Sequence, residues 1–331
     1  MNRTALGQQS SAQADLLPMS NGDIFDEAFD LYKRNFTLFA GIIALIHVPA
    51  ELSMIAANTY FHIPDTLSVD DPTKNLASFT GGVLVWLIIL VLWSFFFLLQ
   101  NAAITVAISE RYLGRNITLM GAYKKTLPFF WKLNSTWVRV AAFLSFVLFM
   151  VFAFASMIFG ALMTTTISSP NNMSPSSATF MVLGITILLL SLIAVIFACI
   201  KMGLFITQIV IIEHKSGGDA LTRNQQMVKG NMMKLLIFFM LLILLLLMLV
   251  IAFAGSIDTG LEFLVYNWIP FSQLNKDMID EILSSMILLF LQPFWMTALT
   301  LRYYDLRVRK EGFDLSILEK QLTFVNSGQK Q

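Results

Sequence analysis

Two ionisable residues lie inside segments that are otherwise nearly free of charge. Lys201 stands 12 residues before Glu213, and Glu51 stands 15 residues after Phe36. A charge near the centre of a bilayer costs roughly 2.5–3.5 kcal/mol on insertion scales, so such residues commonly line ion, proton or ligand pathways or pair between helices. At about 1.5 Å per helical residue, both side chains reach roughly mid-depth from the same side of a membrane.

Three amide side chains fall near the same depth. Gln100 and Asn101 lie ten and nine residues before Glu110, and Gln292 lies 13 residues before Asp305. The pattern predicts one intramembrane polar cluster, made of Glu51, Gln100, Asn101, Lys201 and Gln292. Three interpretations stay open: an ion pair with amide hydrogen bonds that fixes helix register, a lysine that snorkels out of an overlong span, or a site for a ligand, lipid headgroup or ion.

The residue types needed for covalent or metal chemistry are sparse. Cys199 is the single cysteine, and His47, His62 and His214 are scattered without the HxxxH or HExxH spacing of a zinc site. The sequence has no GxSxG elbow and no Walker loop, so nucleophilic hydrolysis and ATP use have no sequence support. We therefore expect a protein that is not an enzyme and that carries no cofactor and no metal.

Composition places these residues in a membrane. The 331 residues are 56% hydrophobic and only 13% charged, and their mean hydropathy of +0.71 is far above what a water-soluble core needs. Positive and negative side chains nearly balance, with 22 Lys and Arg against 21 Asp and Glu. Because no global positive field results, nucleic acid is not an expected partner.

Six segments are long and apolar enough to cross a bilayer, which takes roughly 20 residues of helix. They run from Phe36 to Asn58, Val83 to Ser109, Val140 to Thr165, Thr179 to Ile212, Leu235 to Ile257 and Ile282 to Leu301. Nineteen of the 22 Lys and Arg residues fall on one side, which the positive-inside rule assigns to the cytoplasm. The sequence predicts an all-α, polytopic membrane helix bundle in a prokaryotic cytoplasmic membrane, with both termini cytoplasmic.

An amphipathic segment precedes each odd-numbered span. These segments are Ser20–Phe36, Ile117–Leu133 and Gly218–Leu235. In the first, Ser20 or Asn21 suits a helix N-cap, and apolar residues recur every three or four positions, so one face can lie in the membrane interface. Residues 1–20 are expected to form a disordered cytoplasmic tail, residues 21–312 a six-span membrane domain, and residues 313–331 a cytoplasmic amphipathic helix and tail.

The ends of the even-numbered spans can be laid over one another. They read ITVAISERYLG at 104–114, ITQIVIIEHKSGG at 206–218 and LTLRYYDLRVRKEG at 299–312. This alignment makes Glu110, Glu213 and Asp305 equivalent and indicates three diverged repeats, each with an interfacial helix, an outward span and a returning span. Chance similarity arising from membrane composition is the alternative.

Charged residues concentrate where the even spans re-enter the cytoplasm. The candidate interface charges are Glu110, Arg111, Glu213, Arg302, Asp305, Arg307, Arg309 and Lys310. Anionic headgroups attract a juxtamembrane Lys or Arg by about 1 kcal/mol, and the rings of Tyr303 and Tyr304 suit the interface. Membrane lipids with anionic headgroups are therefore expected partners, either through topology and anchoring alone or through a specific site for a lipid or a protein partner.

Three segments resemble those of one family. LQPFWMTALTLRYYDLRVRKEGFDLSILEKQL at 291–322 is similar to the closing signature of the glycerophosphoryl diester phosphodiesterase membrane-domain family. DIFDEAFDLYKRNF at 23–36 resembles its opening amphipathic helix, and VIIEHKSGGDALTRNQQMVKGN at 210–231 resembles its middle cytoplasmic helix. In that family the membrane domain can precede a soluble catalytic barrel, and many members consist of the membrane part alone. We expect no barrel here, because the chain ends at Gln331 and lacks the His-Arg and paired-carboxylate pattern of the barrel.

The sequence favours a non-catalytic membrane protein that binds lipid or a protein partner and supports envelope or lipid homeostasis. Two alternatives stay open. A transporter would use the intramembrane polar cluster for a small polar or lipid-derived substrate. An accessory subunit would work with a separate glycerophosphodiester phosphodiesterase, as the resemblance implies.

Overall fold

The structure, a computed structural model, describes residues 18–60, 72–168, 195–261 and 273–312, together with positions 182, 186, 191 and 193. In these ranges the regular elements are helices, and no strand occurs. The helices whose two ends are both described are α1 (Asn21–Arg34), α2 (Phe36–Tyr60), α3 (Pro72–Tyr112), α4 (Leu119–Thr126), α5 (Phe130–Ser168), α6 (Ile206–Ile212), α7 (Gly217–Val228), α8 (Met232–Leu261) and α9 (Gln273–Glu311). Residues 195–203, which include Lys201, are helical as well. A helix satisfies the backbone groups of an apolar segment internally, which a bilayer requires.

Five helical stretches are long and apolar enough to cross a membrane. They are Phe36–Ala56, Leu84–Tyr112, Leu119–Ala153, Val195–Ile212 and Met232–Phe253. The protein is thus an all-α, multi-pass membrane protein, which confirms the predicted fold class. The sixth predicted span, Ile282 to Leu301, lies inside the 39-residue helix α9, and a total of six stays a prediction. The turn predicted between the third and fourth spans and the C-terminal amphipathic helix lie outside the described residues, apart from the last turn of α5.

The short helices α1, α4 and α7 start at equal intervals along the chain. Their N-cap residues Ser20, Thr118 and Ser216 follow one another at 98-residue spacing, and each has an extended backbone. The Ser20 hydroxyl accepts a hydrogen bond from the Asp23 N–H at 3.2 Å, and the Asp23 carboxylate accepts one from the Ser20 N–H at 2.8 Å. These two bonds form a capping box and lower the pKa of Asp23. Thr118 accepts from the Gly121 N–H at 3.1 Å.

The same interval separates the buried residues of these three helices. The fourth residue after each N-cap is fully buried, as is the eighth: Ile24, Ala122 and Ala220, then Ala28, Thr126 and Asn224. An apolar-rich membrane composition does not by itself place polar caps and buried positions in one register. The shared register therefore supports the interpretation of three diverged repeats.

The second amphipathic segment is not a single helix, contrary to the expectation for Ile117 to Leu133. Helix α4 ends at Thr126, a 3-10 turn covers Leu127–Phe129, and α5 begins at Phe130. Pro128 explains the break, because proline lacks an N–H and disfavours the α conformation of the residue before it. The third segment also divides, at Gly230, whose positive φ of 81° separates α7 from α8.

The chain divides into two compact units. The first lies within Met1–Phe130 and Ile237–Gln331, and the second within Trp131–Leu236. In the first unit α9 packs against α1, α2 and α3, and α4 packs against α3. In the second unit α7 packs against α6. The short helices α4 and α7 thus each pack on the helix that precedes them, whereas α1 packs on α9.

Single polar side chains fasten the short helices to the backbones of longer ones. In the first unit the Tyr32 hydroxyl of α1 donates to the Phe290 carbonyl at 3.0 Å. The Tyr123 hydroxyl of α4 donates to the Ile42 carbonyl at 2.7 Å. Burial raises the pKa of Tyr32 to about 12, so this donor keeps its proton throughout the physiological range.

Candidate functional site

Three of the five predicted cluster residues form a chain of amides between α3 and α9. Gln100 Nε2 donates to Gln292 Oε1 at 3.1 Å, and Gln292 Nε2 donates to Asn101 Oδ1 at 3.1 Å. Gln100 is 1% exposed and Asn101 is buried. Amide hydrogen bonds between helices in an apolar surrounding fix the register of those helices, so this trio has a structural role in holding α3 and α9 together.

Two backbone carbonyls of α9 near the trio accept hydrogen bonds from side chains. Pro293 follows Gln292 directly and lacks an N–H, which removes one helical hydrogen bond at this level. Nearby, Thr297 Oγ1 donates to the Pro293 carbonyl at 2.7 Å, and the Tyr32 hydroxyl donates to the Phe290 carbonyl. The amide trio therefore lies in a part of the first unit where protein side chains supply the polar partners.

Glu51 pairs with a histidine of its own helix. His47 Nε2 lies 3.6 Å from Glu51 Oε1, with His47 buried and Glu51 partly exposed. His47 belongs to no zinc-site pattern in the sequence, but it lies four residues before Glu51, which places the two side chains on one helix face. The two side chains form an ion pair only when the imidazole is protonated.

Lys201 belongs to the second unit, where its side chain is exposed. The helix that contains it is interrupted at Leu204 and Phe205, which corrects the prediction of a continuous helix from Thr179 to Ile212. Asn224 of α7 satisfies both sides of this break. Its Nδ2 donates to the Lys201 carbonyl at 2.7 Å, and its Oδ1 accepts from the Phe205 N–H at 2.9 Å. This role of Asn224 was not predicted; its one sequence signal is a polar residue at a buried position of an amphipathic helix.

Glu110 fastens α4 to the end of α3. Its carboxylate pairs with Lys125 Nζ at 2.9 Å and with Arg115 Nε at 2.8 Å. Next to it, Arg111 Nη1 donates to Asn116 Oδ1 at 2.6 Å. The acidic residue at the end of the second span thus pairs with the short helix that follows it.

Glu213 has the same arrangement in the second unit. Its carboxylate accepts hydrogen bonds from Arg223 Nε at 2.8 Å and from Arg223 Nη2 at 2.9 Å. This bidentate ion pair holds α7, which carries Arg223. Lys215 Nζ adds a contact at 3.2 Å. Gly217, at the start of α7, has a φ of 62°, and a Cβ there would collide with the Arg139 guanidinium.

Asp305 is the buried member of the series. It accepts from Arg302 Nη1 at 2.9 Å, from Arg309 Nε at 2.8 Å and from the Met19 N–H at 2.9 Å. Arg309 Nη2 in turn donates to the Met19 carbonyl at 2.6 Å. Met19, assigned to a disordered tail by sequence, is therefore held against α9, and Ser20, assigned to the same tail, caps α1. The three acids that the sequence aligned each tie a short helix to the end of a span.

Arg302, Tyr303 and Tyr304 are buried, which corrects their expected place among lipid headgroups. The Arg302 guanidinium lies 5.3 Å from the Phe238 ring, and its burial lowers its pKa while Asp305 opposes that shift. The Tyr304 hydroxyl hydrogen-bonds to the Ser109 hydroxyl, and burial raises the pKa of Tyr304. Of the predicted basic anchors, Arg309 and Lys310 remain exposed and Arg307 is partly exposed, pairing with Glu311 at 3.2 Å.

An apolar groove of about 340 Å³ lies between α2 and α3 in the first unit. It is lined by Leu45, Ile46, Pro49, Ala50 and Ser53 of α2 and by Ile89, Leu92, Trp93 and Phe96 of α3. The Ser53 hydroxyl donates to the Ala50 carbonyl at 2.6 Å, and Trp93 stacks on Phe97 with ring centroids 5.6 Å apart. Sequence reasoning missed the groove; its signal was a proline followed by small residues in the first span.

Comparisons with known proteins give no information on function, so the function has to be inferred from the sequence and the structure. No protein-family model, curated protein sequence or solved structure matches the chain. The resemblance of its opening, middle and closing segments to one membrane-domain family therefore stays a prediction.

Proposed function

We propose that this chain is a non-catalytic, multi-pass membrane protein that binds a membrane lipid in the groove between α2 and α3. The groove is the observation that carries the proposal. Both of its walls belong to helices that are long and apolar enough to span a bilayer, so lipid chains are the apolar molecules that reach it. Its volume is at the lower end of the range for small-ligand pockets, which suits part of an acyl chain.

Exposed basic residues add a second contact with lipid at the ends of the spans. Arg309 and Lys310 are exposed beside the last turn of α9, and Lys124 is exposed on α4. Each attracts an anionic headgroup by about 1 kcal/mol when it lies near a membrane surface. We place the protein in a prokaryotic cytoplasmic membrane with both termini cytoplasmic, and we assign it a role in envelope or lipid homeostasis. The family resemblance extends this proposal to an accessory role beside a separate glycerophosphodiester phosphodiesterase.

Native mass spectrometry of protein extracted in mild detergent tests the groove. Ala50 lines it, and Ala50→Phe fills it with an aromatic ring, whereas Val48→Phe adds the same ring to the same helix outside the lining. We expect wild type and Val48→Phe to retain a defined lipid and Ala50→Phe to lose it. Equal lipid retention in all three proteins would refute lipid binding in the groove.

A transporter is the second candidate, and the His47–Glu51 pair favours it. A buried imidazole next to a carboxylate inside a span is a device for moving protons or ions across a membrane. Proton or solute flux in proteoliposomes that is lost in Glu51→Gln and kept in Lys201→Met would select the transporter with His47 and Glu51 as its site. Loss of flux in Lys201→Met would instead assign the transport site to Lys201.

A further inference from the structure

The fourth predicted span is interrupted at Leu204 and Phe205, and the short helix α7 supplies a side chain at this break. In a continuous helix the Phe205 N–H would donate to the Lys201 carbonyl, four residues earlier. In the structure the Asn224 amide contacts both groups. Its Oδ1 accepts from the Phe205 N–H at 2.9 Å, and its Nδ2 donates to the Lys201 carbonyl at 2.7 Å. Asn224 thus bridges two groups that a continuous helix joins directly.

This bridge lies in the interior of the second unit. Asn224 and Phe205 are both fully buried. Helix α5 approaches the same break, since a Cβ on Gly203 would lie 3.3 Å from Val140 Cγ1. A backbone N–H or carbonyl without a partner is costly in such surroundings. If Asn224 left the break, its two backbone partners would therefore be best satisfied by each other, as in a continuous helix.

The residue before Asn224 holds the other end of α6. Arg223 forms its bidentate pair with Glu213, which is the C-cap residue of α6. Two adjacent side chains of α7 therefore contact both ends of one short helix, at Phe205 and at Glu213. The position of α7 and the break in the span are thus linked through α6.

The docked arrangement of α6 and α7 also has an internal cost. Gln208 of α6 is fully buried, and among the described residues neither its Nε2 nor its Oε1 has a hydrogen-bond partner. Such an amide loses its hydrogen bonds to water without replacing them, which opposes the gain from the Asn224 bonds. The free energy that favours the docked arrangement is therefore smaller than the Asn224 bonds alone would give.

We propose that α7 controls the shape of this span. While α7 is docked, its Asn224 amide keeps residues 195–212 divided at the break. When α7 leaves, the Phe205 N–H bonds to the Lys201 carbonyl, and residues 195–212 form one helix. A ligand or partner that binds undocked α7 would then straighten the span, and one that binds the straight span would release α7. This coupling is independent of lipid binding in the groove, which lies in the first unit.

A distance between two spin labels in detergent micelles tests the proposal. The single cysteine, Cys199, is exposed before the break and carries one label, and Ile212→Cys at the end of α6 carries the other. A continuous helix places these positions 13 residues, or about 20 Å, apart along its axis. We expect Asn224→Leu to shift the label distance from that of the broken span to that of a continuous helix. Thr222→Leu, at an exposed position of α7, keeps the distance of the broken span.

Hydrogen exchange of the α7 peptide reports separately whether α7 is docked. Faster exchange in Asn224→Leu together with the shifted label distance supports the proposal. An unchanged label distance overturns it whatever the exchange rate, because Asn224 would then only anchor α7. If the leucine variant does not fold, Arg223→Ala releases the other end of α6 without altering either group at the break. A shifted distance in that variant supports the proposal, and an unchanged distance overturns it.

Discussion

Pro49 and Pro293 each lie inside a long α-helix of the first unit, and their surroundings differ. Around Pro293 the protein supplies its own polar partners, since Tyr32, Thr297 and the amide trio all hydrogen-bond at that level. Around Pro49 the lining is apolar, and its one side-chain hydroxyl is engaged with Ala50. Protein side chains thus hydrogen-bond to carbonyls of α9 next to Pro293, whereas Pro49 of α2 borders an apolar groove. We call the region around Pro293, together with the Asp305 contacts at the end of α9, the closed side. We call the groove around Pro49 the open side.

The largest effect is expected on the closed side from Asp305→Ala. The change leaves the buried Arg302 guanidinium without its carboxylate and releases Met19. Breaking a buried ion pair by removing one partner costs about 3–5 kcal/mol of unfolding free energy. Denaturant unfolding in detergent micelles measures it, with Glu311→Ala, which removes a more exposed acid on the same helix, as control. If Asp305→Ala lowers the unfolding free energy by less than about 1 kcal/mol, the contacts of Asp305 with Arg302 and Met19 do not stabilise this region as proposed.

Gln292→Leu should have the next largest effect. It removes both hydrogen bonds of the amide trio and leaves the Gln100 and Asn101 amides buried. An unsatisfied buried polar group costs about 1–3 kcal/mol. A double-mutant cycle with Gln100→Leu, followed by the same unfolding assay, isolates the pair; strictly additive losses would mean that the two amides do not interact.

Tyr32→Phe should cost about 1 kcal/mol, the net value of one neutral hydrogen bond. It also has a pH signature. An unfolded tyrosine ionises near pH 10, whereas folded Tyr32 keeps its proton to about pH 12, so its contribution to stability is complete below pH 10 and declines between pH 10 and 12. Unfolding measured across this range should show a shallower decline in the phenylalanine variant. Parallel curves for the two proteins would contradict the burial of this hydroxyl.

The smallest effect is expected on the open side from Ser53→Ala. Its hydroxyl bonds a carbonyl three residues back within its own helix, so its loss changes only a local contact. We expect a change in unfolding free energy within about 0.5 kcal/mol. A larger loss would mean that Ser53 stabilises the shape of the groove. The difference in unfolding free energy between substitutions on the closed side and on the open side would then be smaller than expected.

Local patterns predicted the features that depend on neighbours in sequence. The Ser20 cap, the amphipathic helix that follows it and the ion pairs of Glu110, Glu213 and Asp305 follow from residue types at short spacing, and the structure shows them. The second and third amphipathic segments are each divided, at Pro128 and at Gly230. The sequence could not distinguish Pro49 from Pro293, because their difference lies in Tyr32, which meets Phe290 258 positions along the chain. Nor could it show that Arg302 and Tyr304 are buried, since basic and aromatic residues suit the interface equally well.

The contact between Met19 and Asp305 has a consequence for the order of events during synthesis. α1 leaves the ribosome before α9, but the Asp305 carboxylate and the Phe290 carbonyl that hold it both belong to α9. These contacts of α1 therefore cannot form until α9 has been translated. Docking of α1 on α9 is therefore a late step of folding. A chain that ends before Asp305 would leave the amphipathic helix α1 undocked and exposed.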